Sequence, residues 1–256
     1  MDLKDGVSLS EICGLHAGYG YLRNDGKRIE LDISGNVEEK EYYDRYVIPL
    51  FSNYFDIRIK GRYFPSRNTY GFVIRDRKIV DFMHNLGFPY GKKTTTVEVP
   101  RFIYESSNKK LSIAFLRGLF DTDGSFCPDR RYAKNYRNFK RTYHYYPRIS
   151  ISTCSIRLSE QISLMLNRLN IGFYIQIYVS NKLTENTKRI IWVVGNKNVE
   201  SWFNVIGSTN ICKLTKYLVW KKYGFCPPRT NLNQRKQILK GKLDPRICYG
   251  LVAQSG

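Results

Sequence analysis

Apolar and polar positions run through two arrays of similar order. In the first, Leu9, Ile12, Cys13 and Leu15 recur at helical spacing and predict a helix from about Leu9 to Gly18. Ser8-Leu9-Ser10-Glu11 has the S-x-x-E form of a capping box at its start. Arg28–Ser34 (RIELDIS) alternates with period two, as a strand does. The stretch EEKEYYDRYVIPLFSNYF reads as a helix up to the neighbourhood of Pro49. Ile57–Tyr63 and Tyr70–Arg75 predict a strand pair, and Lys78–Gly87 a helix closed by glycine. The second array opens with a more uniformly apolar helix through Leu111, Ala114, Phe115, Leu116 and Leu119, with Asn108 as its cap. Strand Arg148–Thr153, helix Ser155–Asn170, strands Tyr174–Val179 and Arg189–Val194, and helix Asn198–Gly207 then follow in the same order.

The repetition predicts an α+β fold, a pseudo-symmetric duplicated αββαββα, if each half holds one further strand. The halves are set at residues 1–106 and 107–222, and a basic tail, a helix followed by a tether, at 223–256. They are not equal. Residues 129–148 (DRRYAKNYRNFKRTYHYYPR) carry Arg130, Arg131, Lys134, Arg137, Lys140, Arg141 and Arg148 against the single acid Asp129, with tyrosines interleaved. The pattern predicts a basic hairpin.

Lys plus Arg number 42 against 22 acids, a formal charge of +20. Such an excess opposes compaction and points to a polyanionic partner, nucleic acid ahead of a membrane surface. No stretch has the apolar length of a transmembrane helix. The six cysteines are scattered without C-x-x-C spacing and read as reduced thiols of an intracellular chain, cytoplasmic and nucleoid-associated or organellar.

Two segments share a frame. GLHAGYGYL at residues 14–22 and GLFDTDGSF at residues 118–126 both read G-L-x-x-x-x-G-x-[LF]. Gly14 and Gly18 in one, and Ala114 and Gly118 in the other helix, are four residues apart, so two such helices can approach closely. Their C-terminal ends would then lie together, carrying Tyr19 and Asp123. An acid at a helix C-terminus opposes the helix dipole. A bound Mg²⁺ or Mn²⁺ reverses that balance, with the backbone carbonyls of Gly18 and Thr122 as further oxygen ligands. His16, one turn before Tyr19, is expected to pack in the helix interface.

The paired motifs, with their matching flanks and the basic composition, resemble the LAGLIDADG homing endonucleases of the single-chain, two-motif type, over roughly residues 8–222. The resemblance implies a monomeric pseudo-dimer with the motif helices at its centre. Each half would offer a saddle of four antiparallel strands to half of a long, asymmetric DNA site. It implies metal-dependent phosphodiester hydrolysis with Asp123 as the metal-binding acid. Tyr19 stands where the partner acid belongs; Glu11 and Asp25 are wrongly placed to replace it. Lys213 resembles a basic position found in many members after the last strand unit and is a further catalytic candidate. Gly35 or Asn36, and Thr153 or Cys154, fall near the peripheral polar positions. Arg28, Glu30 and Asp32 on one strand, and Arg58, Lys60 and Arg62 on another, are expected to face DNA, with the basic hairpin. The expected activity is impaired or strand-biased cleavage. The alternative is an inactive DNA- or RNA-binding protein, such as a maturase acting on intron RNA.

Overall fold

The computed structural model describes residues 5–130, 144–182 and 184–248. Its centre is a pair of parallel helices, α1 (Gly6–Tyr19) and α6 (Lys109–Asp123), which make the most extensive contact between any two elements. The approach is set by glycines. A Cβ on Gly14 would lie 2.1 Å from the carbonyl oxygen of Phe115, and one on Gly118 would lie 2.4 Å from that of Glu11. Both clashes are with backbone, which cannot swing aside. A Cβ on Gly18 would meet Thr122 Oγ1 at 2.0 Å, so the contact continues to the C-terminal ends.

One ion pair joins the helices across this seam. Arg117 donates from Nε to Glu11 Oε1 at 3.0 Å and from Nη2 to Oε2 at 2.5 Å, while the Tyr46 hydroxyl donates to Oε1 at 2.8 Å. Glu11 is therefore consumed in the interface. The expected Ser8–Glu11 capping box does not form. Asp5 caps α1 instead, accepting from the Val7 and Ser8 amides, so the helix starts three residues earlier than its apolar spacing suggests. Asn108 caps α6 as expected.

Each motif helix feeds straight into a strand, and these are the two strands the alternation did not reveal. In the first half β1 (Gly20–Asn24) pairs antiparallel with β2 (Ile29–Asn36). A 3-10 turn (Val37–Glu39), α2 (Lys40–Tyr42), a π-helical segment (Tyr43–Val47) and α3 (Ile48–Phe55) form one continuous helical run. Pro49 does not end it. Pro49 sits at the start of α3, directly after the π segment, where the widened turn accommodates a residue that cannot donate. Then come β3 (Arg62–Phe64), β4 (Thr69–Ile74), α4 (Arg77–Asn85) and the short α5 (Arg101–Tyr104). The sheet order is β1-β2-β4-β3.

The second half repeats the plan. Strand β5 (Gly124–Phe126) follows α6; β6 (Asp129–Arg130) pairs with β7 (His144–Tyr146) beside the sheet. Strand β8 (Arg148–Thr153), helix α7 (Ile156–Arg168), β9 (Tyr174–Tyr178), β10 (Lys188–Val194) and α8 (Asn196–Val205) complete the unit. Its sheet order, β5-β8-β10-β9, matches the first. In both sheets the apolar positions alternate. Leu31 and Ile33 of β2, Ile149 and Ile151 of β8, and Ile191 and Val193 of β10 are buried in the core, leaving the opposite face of each sheet open.

The C-terminal segment differs from a free tether. Helix α9 (Ile211–Tyr223) packs with α10 (Leu232–Leu239), which closes on the first half. Arg235 is 1% exposed and donates to Glu38 Oε1 at 3.1 Å, and Lys236 bonds Glu41. Among the described residues no helix is long and apolar enough to cross a membrane.

Gly118→Ala should destabilise the chain by ~1–3 kcal/mol or more, because its methyl has only backbone to displace. Urea unfolding checks this; an unchanged midpoint would show that the helices can separate without loss.

Candidate active site at the joined helix ends

The helices end side by side, and their last residues, Tyr19 and Asp123, are the two positions singled out by the repeated motif. Asp123 is exposed, and no hydrogen bond or ion pair among the described residues reaches its carboxylate. Protein atoms crowding the carboxyl push its pKa up, and the ammoniums of Lys93 and Lys213 pull it back down. A cleft of about 250 Å³ opens beside it, lined by Gly18, Lys93, Thr94, Thr153, Cys154 and Lys188 among others.

Tyr19 is half-buried, and its phenol is pushed well above its ordinary pKa by burial and by the nearby Glu39 and Asp123 carboxylates. It is neutral near pH 7. Its ring lies over Gly35, where a Cβ would be 2.5 Å from Tyr19 Cε2 and 2.7 Å from Glu39 Oε2. Ring and carboxylate thus meet above the same glycine. Sequence reasoning missed Glu39. It is 6% exposed; Oε1 accepts from Asn210 Nδ2 at 2.6 Å, and Oε2 has no partner among the described residues. Burial raises its pKa against the opposing pull of Lys213 and Asn210.

The carbonyls expected to serve a metal are already engaged. Lys213 Nζ donates to Phe120 O and Thr122 O, both at 2.6 Å. Lys93 Nζ donates to Gly18 O at 2.7 Å and Gly20 O at 2.5 Å. The physical reason is the helix dipole: each end gathers unpaired carbonyls, and a buried ammonium satisfies them. Lys213 therefore lies against the end of α6, and Lys93 is its counterpart at the end of α1, which sequence reasoning missed. A signal existed. Each lysine lies eight residues past the helix that follows the sheet of its half, α4 ending at Asn85 and α8 at Val205. Burial lowers both lysines to about 8.

Asp121, the other acid of the second motif, is fully buried. It accepts from the Thr209 amide at 2.7 Å, the Thr209 hydroxyl at 2.6 Å and the Asn210 amide at 3.1 Å, and from Ser208 Oγ. It anchors the turn that delivers Asn210 and Lys213. His16 is buried, but its ring packs edge-on 4.4 Å from the Phe88 ring centroid, in the core of the first half, and not against α6 as expected. Burial, aided by Lys93, holds its pKa well below the ordinary value, so it is a neutral core ring.

The remaining expected positions divide. Glu30 and Asp32 lie on β2, on the sheet face away from the core, and are paired with arginines: Glu30 with Arg75 at 3.4 Å, Asp32 with Arg67 at 2.8 Å. Arg28 is not on that strand. It stands in the preceding turn, where its amide donates to Asp25 Oδ1 at 2.7 Å. Asp25 itself pairs with Arg23 at 2.7 Å and takes no part in the helix ends. Of the second set only Arg62 is in a strand. Arg58 and Lys60 lie in the extended stretch before it, because β3 finds only three partners on β4. Gly35 supports Tyr19, and Asn36 caps the 3-10 turn through the Glu38 amide at 2.8 Å. Arg130 is exposed on β6, and Arg148 pairs with Asp129 at 3.2 Å. Arg131, Lys134, Arg137, Lys140 and Arg141 lie outside the described residues.

Residues 110–207 match the family model of the LAGLIDADG-like domain. Structures of mesophilic variants of the homing endonuclease I-DmoI are similar at 18% identity, with 79% of this chain and 95% of that chain covered and a TM-score of 0.50. I-DmoI in complex with DNA and Mn is similar at 17% identity, over 79% of this chain and 96% of that chain, with a TM-score of 0.50. I-DmoI in complex with DNA and Ca gives 18% identity, 78% and 88% coverage, and a TM-score of 0.50. No curated protein matches the chain. The two four-stranded sheets around the paired helices repeat the fold of those structures. A LAGLIDADG-like domain thus lies in the second half, and the chain as a whole is similar in fold to the homing endonuclease I-DmoI.

The two lysines are protonated less readily in the folded chain than in the unfolded one. The cost of burying their charge is therefore present below about pH 8 and is relieved as pH rises from about 8 towards the ordinary lysine value of 10.5. Thermal melts across that window should show a rise in stability for the native chain relative to the double variant Lys93→Met/Lys213→Met. Parallel curves would contradict the buried ammoniums.

Proposed function

We propose that the chain binds a long, asymmetric double-stranded DNA site as a monomer and hydrolyses its phosphodiester backbone with one competent acid, Asp123, in place of two. The observation that carries this reading is the asymmetry of the helix ends. One offers an exposed carboxylate with no partner among the described residues; the other offers a neutral phenol. The charge of +20 and the two open sheet faces support DNA as the partner. The I-DmoI complexes with DNA and Mn add support by likeness of fold.

A divalent cation fits this site only in part. Among the described residues no group of three or more His, Cys, Asp or Glu could hold one unaided. Mg²⁺ is commonly held by one or two carboxylates together with substrate phosphate and water, and the free oxygens of Asp123 meet that lesser demand. When bound, such an ion supplies charge stabilisation and an activated water. The chain's own residues do the rest. Asp123 presents its oxygens at the seam between the halves. Lys93 and Lys213 neutralise the helix-end carbonyls, which removes negative potential that would repel a phosphate, and their charge favours the ionised form of Asp123. Tyr19 fills the equivalent place without a charge, its ring backed by Gly35. Loss of one acid costs on the order of several kcal/mol at one strand, and hence orders of magnitude in rate.

A supercoiled plasmid carrying a selected site, with Mg²⁺ or Mn²⁺, tests the reading. The native chain should give open-circle product, Tyr19→Asp should add linear product, and Asp123→Asn should give neither while retaining the gel shift. Efficient double-strand cleavage by the native chain would refute the single-acid reading. A gel shift with no product would assign the chain to binding alone, and a preference for RNA would favour the maturase alternative.

A further inference from the structure

The outer faces of the two sheets differ in chemistry. The first carries ion pairs: Arg23 and Arg75 with Glu30, and Arg67 with Asp32. The second carries few charges. Register places Trp192 opposite Ser150 and Tyr174, and Ile190 opposite Ser152 and Gln176. These residues share the face away from the buried Ile151, Ile191 and Val193.

On this face one amide is held in a single orientation. Trp192 Nε1 donates to Gln176 Oε1 at 2.9 Å. An indole N–H can only donate, so the oxygen of the Gln176 amide must be the atom that faces it. The amide nitrogen then points elsewhere, and it has no partner among the described residues. Trp192 is itself held: the Arg148 guanidinium lies 4.6 Å from the centre of its ring, and Arg148 is tied to Asp129 at 3.2 Å. Gln176 is exposed on β9, the edge strand farthest from β5 and so from the motif helices.

A free glutamine pairs with adenine in the major groove by donating to N7 and accepting from the N6 amino group. That pairing needs the amide oxygen. In this chain the indole takes one of the oxygen's two lone pairs and ties the oxygen to the Trp192 side, so the group free to turn towards a base is the N–H₂ donor. Guanine presents two adjacent acceptors, N7 and O6; adenine presents a donor beside N7. We propose that Gln176, oriented by Trp192, is a specificity-determining residue that reads guanine in preference to adenine in the outer part of the half-site under the second sheet. The inference rests on the DNA-binding reading and adds to it which base the edge strand selects. Trp192 acts through Gln176 as a positioning residue.

The test is selection of bound duplexes from a randomised pool at one fixed salt concentration, with the full chain, Gln176→Ala and Trp192→Phe. The native chain should enrich guanine over adenine about tenfold at one outer position, equivalent to ~1.4 kcal/mol. Gln176→Ala should flatten that position and leave the others. Trp192→Phe keeps a ring beneath Arg148 but removes the donor, so the amide can turn; adenine should rise to near parity at that position alone. A merely structural role for Trp192 would weaken binding at all positions equally. A guanine preference untouched in both variants, or adenine preferred there by the native chain, would overturn the inference while leaving the DNA-binding reading intact. A native chain that selects no sequence would overturn both.

Discussion

The backbone contact between α1 and α6 is the constraint on which the rest depends. Three positions permit it, Gly14, Gly18 and Gly118, and two of them leave less than 2.5 Å between a hypothetical methyl and a neighbouring carbonyl oxygen. Nothing larger fits. The parallel approach brings two helix C-termini together, and with them two sets of unpaired carbonyls of like sign. Such an arrangement is unfavourable by itself. It is tolerated because Lys93 and Lys213 insert ammoniums on either side, and Arg117 closes the seam on Glu11. The same contact joins two complete sheets, so packing and site geometry have one origin.

Pseudo-symmetry makes the departure from symmetry informative. The lysines correspond, the capped carbonyls of Gly18 and Thr122 correspond, and the strands that follow correspond. Tyr19 and Asp123 do not. Nor do Ala17 and Asp121, of which only the acid anchors a distant turn through Ser208, Thr209 and Asn210. That turn carries Asn210 to Glu39, so the second half reaches across to hold a buried carboxylate behind the Tyr19 ring. Where the second half ends its motif helix on a carboxylate, the first ends on a phenol.

Much of this was legible in the sequence, for physical reasons that differ by residue. Small residues four apart exposed the central seam, because only side chains that small allow it. Strand β8 has the bounds its alternation predicts, since period-two burial leaves a clear pattern in RISIST. Strands β1 and β5 were not legible: they begin on the last glycine of a motif frame and follow its helix without a break. Pro49 misled, because a π segment absorbs what normally breaks a helix. Asp5 displaces Ser8 as the cap, since the capping-box partner Glu11 finds a better match in Arg117. Glu39 escaped because nothing local marks it, and Lys93 because its one signal, a place eight residues past α4, shows only once the two halves are aligned element by element. Lys93 stands beside Lys92 in an unpatterned stretch, and only tertiary packing takes one of them to the helix end.

We propose that the joined helix ends hold one competent acid, on the side of Asp123. Anomalous diffraction from crystals of the chain with DNA and Mn²⁺ addresses it directly. A single ion beside Asp123 and none on the Tyr19 side is the expected result. A second ion there, held by Glu39 after displacement of the Tyr19 ring, would contradict it.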